Sequence, residues 1–414
     1  MSRTKCREAK YDIDRVRDDF PILGSTVNGH PLAYLDNAAS AQKPTVVVER
    51  MVAAMYADYA NVHRGSHSLG NAATAAFEDA RECVRHFLNA NDASEVVFTK
   101  SATEAVNLVA NSLGSSFRPG DEVVLSVMEH HANLVPWHML RARHGAVLRW
   151  VDVAEDGNLS VAAVEEAMTA RTRLVAITHM SNVLGAATPL GAITAAAHAR
   201  GVPVLADGAQ AAVHMPVDVQ ALDVDFYAIT GHKLYGPTGI GALYGKRTWL
   251  DRLPPFLGGG EMVDTVARDA VTYADPPHRF EAGTPPIVEA IGLGAALNYM
   301  DVIGRERIAA HEQALGIHAH RRLSTIKGLS FLGRASPGPI LSFVLANAHP
   351  HDVAALLDAK GICIRAGGHC AHPLHERFGV QSSCRASFGM YTSFEEVDRL
   401  AGGLEEAADF LAHA

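Results

Sequence analysis

Three short segments of this chain carry side chains suited to covalent chemistry on a small molecule. Thr230-Gly231-His232-Lys233 follows the apolar run Phe226 to Ile229 and leads into Leu234-Tyr235-Gly236-Pro237-Thr238-Gly239. A lysine at a strand's end, flanked by a hydroxyl, an imidazole and glycines, is well placed for a Schiff base. Asp207 closes the run Val202 to Ala206 and is followed by Gly208-Ala209-Gln210. Ser101-Ala102-Thr103-Glu104 follows Val96 to Thr99 and opens a helical pattern through Val106, Leu108 and Val109. Its hydroxyls and free backbone amides form a phosphate cradle at a helix N-terminus. In isolation each segment has a plainer reading: a solvated turn lysine, a capping aspartate, an ordinary N-cap. Three strand ends in chain order, offering anion recognition, an acid partner and a lysine, are far more specific than any one.

That combination suits pyridoxal 5′-phosphate (PLP). Its ring nitrogen must stay protonated for the ring to accept electrons from a substrate Cα, and a carboxylate such as Asp207, buried at a parallel strand's C-terminal edge, holds that proton. The five cysteines, Cys6, Cys83, Cys363, Cys370 and Cys384, are too few and too scattered for a disulfide framework, which leaves at least one as a working thiol. Gly367-Gly368-His369 before Cys370 argues for an exposed, mobile thiol, and nearby cations would favour its thiolate. Cys363, His369, Cys370, His372, His375 and Cys384 crowd one stretch, but no CxxC pair exists and the spacings match no common zinc finger. No metal is expected.

The elements that must position these groups are legible as a pattern. Short β-branched runs (Glu122 to Val127, Leu174 to Thr178, Val202 to Ala206, Phe226 to Thr230) alternate with alanine-rich helical stretches, which implies an α/β fold with a mainly parallel sheet. One intervening helix has Pro189 at its start, Gly201 at its stop, and Leu190, Ile193 and Ala197 on one face. After about residue 290 the pattern changes. A long helical segment from Val288 to about Ile326 precedes the strand Ile340 to Leu345, a helix from Asp352, the strand Ile362 to Ala366, and a final helix opened by a Ser393/Glu396 capping box. The expected organisation is a large domain over 25–290 and a smaller α+β domain formed by 291–414 with 1–24, the active site lying in the cleft between them. A formal charge of −9 without a basic run argues against nucleic acid. The first twenty residues have no apolar targeting region and no later stretch is long enough to span a bilayer, so a cytoplasmic protein without membrane contacts is expected.

The motifs YLDNAASAQKP (34–44), NVHRGSH (61–67), MEHHANLVPW (128–137), SNVLG (181–185), DGAQ (207–210), TGHKLYGPTGIG (230–241), FEAGTP (280–285), RAGGHCAHPL (365–374) and CRAS (384–387) extend the case along nearly the whole chain. In these the chain resembles the group II (SUF-type) cysteine desulfurases, fold-type I PLP enzymes. The resemblance implies conversion of L-cysteine to L-alanine, with a persulfide on Cys370 that supplies sulfur for iron-sulfur cluster assembly. It makes Lys233 the Schiff-base lysine, Asp207 the partner of the ring nitrogen, His130 the histidine stacked on the ring, and Gln210 the ligand of its phenolic oxygen. Thr103, Ala102, Thr230 and His232 match the phosphate site. Thr284 matches a phosphate ligand donated by a second subunit, which implies a homodimer. Arg385 matches the grip on the substrate carboxylate, with Arg365, Asn182 and His63 as supporting contacts.

Two departures stand out. Gly368 occupies a position that is commonly histidine in the family, and Lys100-Ser101-Ala102 replaces a common Arg/Lys-Gly-Thr. The segment His349-Pro350-His351-Asp352 is similar to one in members that hand sulfur to a small zinc-bound acceptor protein, where His351 would replace a cysteine ligand of the zinc. The residues also leave open a selenocysteine lyase or sulfinate-acting relative. In a different class, a non-catalytic sulfur or zinc carrier built from the His/Cys stretch is the alternative.

Overall fold

The computed structural model describes residues 11–333 and 337–413. Cys6 and the first ten residues of the segment assigned to the smaller domain lie outside the described residues. The main sheet contains seven strands: β1 (Val96–Thr99), β2 (Glu122–Ser126), β3 (Val147–Val151), β4 (Thr172–Thr178), β5 (Val204–Asp207), β6 (Phe226–Thr230) and β7 (Gly241–Gly245), in the order β1-β7-β6-β5-β4-β2-β3. The five strands from β6 to β3 run parallel, and β7 lies antiparallel between β6 and β1. Apolar runs without alternation are what such a sheet needs, because helices cover both faces. Successive side chains then enter different cores: Val175 and Ile177 pack on one face of β4, Leu174 and Ala176 on the other.

A second sheet joins β8 (Leu329–Phe331), β9 (Ile340–Leu345), β10 (Arg365–Gly367) and β11 (Ser383–Ser387) in the antiparallel order β8-β9-β11-β10. The final helix, Phe394–His413, packs over this sheet's core. Its capping box is formed: Ser393 N–H donates to Glu396 Oε2 (2.8 Å) and Glu396 N–H to Ser393 Oγ (3.2 Å). The N-terminal segment reaches across to this region. Ala33–Tyr34 pairs in parallel with Ile362–Cys363, and Arg17 donates to Tyr391 O (2.7 Å) and Glu396 Oε2 (2.9 Å).

Three elements differ from the sequence pattern. The long helical segment is two helices, Ile287–Ile303 and Arg305–Leu323, bent by 77° at Gly304, whose φ of +98° suits a residue without a Cβ. The run Ile362 to Ala366 divides between Ile362–Cys363 and β10, which pair with different partners. The helix expected from Asp352 begins at Pro350, which needs no N–H there, with His349 Nδ1 accepting from His351 N–H (3.3 Å). Among the described residues, no single helix is long and apolar enough to cross a membrane.

Candidate active site

One cavity collects the C-terminal ends of β4, β5 and β6, the N-terminus of the helix Ala102–Ser112, and the loop after β10. Asp207 is buried at the end of β5; Ala209 N–H donates to its Oδ1 (2.9 Å), and Oδ2 has no partner among the described residues. Burial raises its carboxyl pKa, against the opposing pull of the Lys233 ammonium. Lys233, just past β6, is pulled down to about 8 by burial of its amine, although Asp207 works to raise it. A lysine near 8 presents a substantial neutral fraction for attack on a carbonyl. Burial, with Lys233 next in weight, lowers His130 to about 3, so its ring is a neutral plate. Its Nδ1 accepts from Ala132 N–H (3.1 Å), which sets its orientation.

The phosphate side is a helix start. Ser101 Oγ caps Glu104 N–H (3.3 Å), and Ala102 and Thr103 line the cavity beside it. Gly241 on β7 explains how the helix end comes so close: a Cβ there would stand 2.8 Å from Ser101 Cα. Ala102 therefore removes one hydroxyl while the backbone cradle remains. Burial lowers His232, which lines the same side, to about 4.

Arg385, on β11, is 2% exposed. It donates to Asn182 O (3.0 Å) and Asp36 Oδ1 (3.1 Å), which leaves Nε buried without a partner among the described residues. Arg365 lies 3.7 Å from the other oxygen of Asp36 and also lines the cavity. Asn182 in turn donates to His369 O (2.8 Å) and so ties this cation to the cysteine loop. Cys370 is the exposed cysteine among the described residues; burial pushes Cys384 up to about 12, and Cys83 and Cys363 are half-buried. The loop holds Gly367, His369 and Cys370 at φ of +128°, +48° and +55°, and Cys370 O accepts from His131 N–H (2.7 Å). Gly368 also has a steric reason: a Cβ there would meet the His372 ring at 2.6 Å.

The expected residues therefore converge, with two exceptions. His63 does not line this chain's own cavity: its backbone N–H donates to Thr74 Oγ1 (2.8 Å) and its Nε2 pairs with Glu78 Oε1 (2.8 Å). Thr284 is exposed in a separate cavity beside Lys100 and Glu104, outside this chain's own site. Asp36, His369 and the buried Glu129 have no assigned role in the sequence reading. Asp36 stood inside a quoted motif, but its contact with Arg385 spans 349 positions and no local pattern carries it.

The cavity fits PLP on its own polar inventory. Among the described residues, Gln210 Oε1 and Thr230 Oγ1 are buried without partners, groups that a native interior satisfies with a ligand or water, and Asp207 Oδ2 is free to take a ring N–H. Fold and site thus define a PLP-dependent enzyme. The chain belongs to the aminotransferase class-V family, whose profile matches residues 33–400. It is 51% identical over 397 residues to a cysteine desulfurase of Pectobacterium atrosepticum, covering 95% of this chain and 98% of the relative. The structure is similar to that of the cysteine desulfurase CsdA from Escherichia coli, in its S-sulfonic acid form (TM-score 0.91, 39% identity, covering 97% of this chain and 100% of that one). The apo cysteine desulfurase of Thermococcus onnurineus NA1 matches as well (TM-score 0.91, 37% identity, 99% and 100% covered).

Proposed function

We propose that this chain is a cysteine desulfurase that converts L-cysteine to L-alanine and leaves the sulfur as a persulfide on Cys370. The observation that carries this reading is the meeting of Lys233, Asp207, Arg385 and an exposed Cys370 in one cavity. Bound PLP supplies an electron sink for the substrate Cα. Asp207 would hold the ring nitrogen protonated, and neutral His130 would offer an uncharged surface to the ring. Arg385, with Arg365 and Asn182 beside it, fixes the substrate carboxylate through charge-assisted contacts. Lys233 would take the Cα proton at Nζ. The Cys370 thiolate then attacks the substrate Sγ: the new S–S bond forms as Cβ–Sγ breaks, the electron pair stays on the carbon fragment, and protonation at Cβ, with return of a proton from Lys233 Nζ to Cα, completes alanine. A soft nucleophile is needed at sulfur, which serine cannot supply.

The further parts of this reading concern assembly and delivery. The enzyme acts as a cytoplasmic homodimer within a SUF-type system that feeds iron-sulfur cluster assembly. Support for the dimer comes from exposed Val48, Met55, Tyr56 and Tyr59, and from a hairpin, Val263–Val266 with Val271–Tyr273, bearing exposed Val266, Val271 and Tyr273; Thr284 then completes the partner's phosphate site. Delivery goes to a small zinc-bound acceptor protein. His349 and His351 are exposed and stacked (5.4 Å between centroids), and neutral imidazoles are competent zinc ligands. Cys384 Sγ contacts Pro350 O (3.4 Å), linking this helix start to the strand that carries Arg385. The test is a single-turnover reaction with cysteine, scoring alanine and Cys370 persulfide, then sulfide release with zinc-loaded and zinc-free acceptors for wild type and His351→Ala. Absence of persulfide on Cys370 overturns the enzymatic reading. Equal stimulation of both forms by the zinc-loaded acceptor removes His351 from delivery.

A further inference from the structure

The peptide that carries Lys233 is held from two sides. On its own side, Gly231 N–H donates to Ile240 O (2.9 Å), and Gly231 O accepts from Leu234 N–H (3.0 Å) and Gly236 N–H (3.0 Å), which closes the turn around the lysine. On the other side, the segment Ala38 to Lys43 lies across that turn. Gln210 Nε2 donates to Ala38 O (2.8 Å), and Ala38 and Ala39 line the active-site cavity. The carbonyl of His232 is bonded directly to the Lys233 nitrogen. It accepts from Ala41 N–H (3.0 Å) and from Lys43 Nζ (3.0 Å), 189 positions earlier in the chain, and Ser40 Oγ lies 3.3 Å from it. Lys43 Nζ also donates to Ala41 O, so one ammonium ties the two segments together. Burial lowers Lys43 to about 8, and among the described residues its Nζ bonds only to these two carbonyls. A charge withdrawn from water without a counter-charge is an expensive way to join two backbone segments, since a neutral donor could do so at lower cost. What the ammonium adds is a charge-assisted hold on the peptide just ahead of Lys233.

We infer that Lys43 is a positioning residue for proton transfer: by gripping the His232 carbonyl it fixes the backbone from which Lys233 Nζ reaches the substrate Cα. This rests on the reading of Lys233 as the proton carrier. Lys43 does not line the cavity and acts only through the peptide. The lysine side chain is long, so a shift of its backbone carries Nζ with it, and a misplacement of about 1 Å can slow a reaction on the order of 10²-fold. The substrate carboxylate is held on the other wall, by Arg385 in β11, which Lys43 does not touch. Loss of Lys43 should therefore slow the proton step and leave substrate binding in place.

The experiment follows the Cα hydrogen itself. PLP-loaded full-length protein is incubated with L-alanine in D2O, and NMR reads the replacement of the Cα hydrogen by deuterium, a step that needs Lys233 Nζ but no sulfur transfer. Lys43→Met keeps the aliphatic stem and loses the donors. Its exchange rate at saturating alanine should fall by about 10- to 100-fold, while the alanine concentration for half-saturation and the visible band of the lysine-bound cofactor stay as in wild type. Lys43→Arg keeps a charged donor and should recover much of the rate. Lys43→Gln keeps a neutral donor on a shorter stem; it should fall between Met and wild type, and it decides the question if the Met variant does not load with cofactor. With cysteine, the isotope effect of a Cα-deuterated substrate on alanine formation should be larger in Lys43→Met than in wild type, because the proton step has become limiting. Wild-type exchange in both the Met and Gln variants overturns the proposal. So does a loss shared equally by rate, half-saturation and cofactor band, which is the signature of a merely structural role. A wild type that exchanges no Cα hydrogen overturns it as well. A wild type that exchanges alanine's hydrogen yet forms no Cys370 persulfide from cysteine overturns the desulfurase reading alone.

Discussion

The two walls of the cavity are built differently. On the main-sheet wall Asp207, Thr230 and Lys233 stand at or just past the ends of strands whose neighbours lock their register, with Asp207 opposite Thr178 on one side and Ala228 on the other. On the opposite wall Arg385 is equally buried in β11, but Cys370 leaves the three-residue β10 through a loop of left-handed residues and emerges exposed. A group that handles one proton at one atom is best held rigid. A group that must meet a substrate sulfur and afterwards a second protein belongs on a loop carried by a scaffold. The walls should therefore fail in different ways.

The largest effect is expected from Lys233→Ala. It removes both the covalent tether and the proton carrier, so turnover should fall by on the order of 10²–10⁴-fold or more, with loss of the lysine-bound cofactor's visible band. A borohydride-reduced digest locates the cofactor in wild type, and a pyridoxyl group on another lysine contradicts the assignment. In wild-type apoprotein, PLP capture should speed up as pH rises through about 8, because the neutral amine is the reactive form. Cys370→Ser isolates the other wall. The cofactor band and cysteine binding should persist while alanine and persulfide nearly vanish. Undiminished alanine would point to Cys363 or to thiols in solution.

This contrast also explains what the sequence could disclose. Lys233 and Asp207 are legible because a strand end is a local feature: an apolar run, then a functional residue, then glycine. Cys370 is legible from its glycine-rich flank. Residues whose role depends on distant partners are not. Asp36 meets Arg385 from 349 positions away, and His369 and His375 meet through Ser383 Oγ, which no spacing rule connects. The break at Gly304 was hidden because apolar periodicity continues on both sides of it, and a single glycine is tolerated within a helix. The strand β7 escaped for a related reason: it reverses direction inside an otherwise parallel pattern.

Arg385→Ala is expected to have an intermediate effect, since its fork reaches across from the rigid part of the loop wall. Losing a charge-assisted contact worth about 1.5–3 kcal/mol should weaken cysteine binding roughly 10- to 100-fold. The cofactor band should be untouched. Arg385→Lys should restore only part, because an ammonium cannot reproduce two parallel donors. Cysteine titration of the Ala variant by cofactor absorbance reads this directly, and a wild-type curve removes Arg385 from the substrate site.

The smallest effect probes the floor of the rigid wall. Glu129 is fully buried, and it accepts from Ser126 Oγ–H (2.6 Å) and from Asn133 Nδ2 (2.7 Å), whose Oδ1 accepts from Trp137 Nε1–H (3.1 Å). Burial raises its pKa from the ordinary 4.5 to about 8, and the Asp207 charge adds to the rise, while these hydrogen bonds oppose it. Between those two values the folded protein holds a proton that the unfolded chain has lost. Stability from this group is therefore complete below pH 4.5, and it declines as pH rises toward 8. The decline amounts to about 2 kcal/mol between pH 5.5 and 7. Glu129→Gln cannot titrate. Its Oε1 can accept from Asn133 Nδ2 while its amide donates to Ser126 Oγ, so any difference from wild type at pH 5.5 is independent of pH and the variant gains on wild type by about 2 kcal/mol by pH 7. Denaturant unfolding of both PLP-loaded proteins at the two pH values measures that difference with other titrations cancelled. Parallel pH dependence would mean that Glu129 is ionised in the folded protein and that this wall carries a buried negative charge beside Asp207.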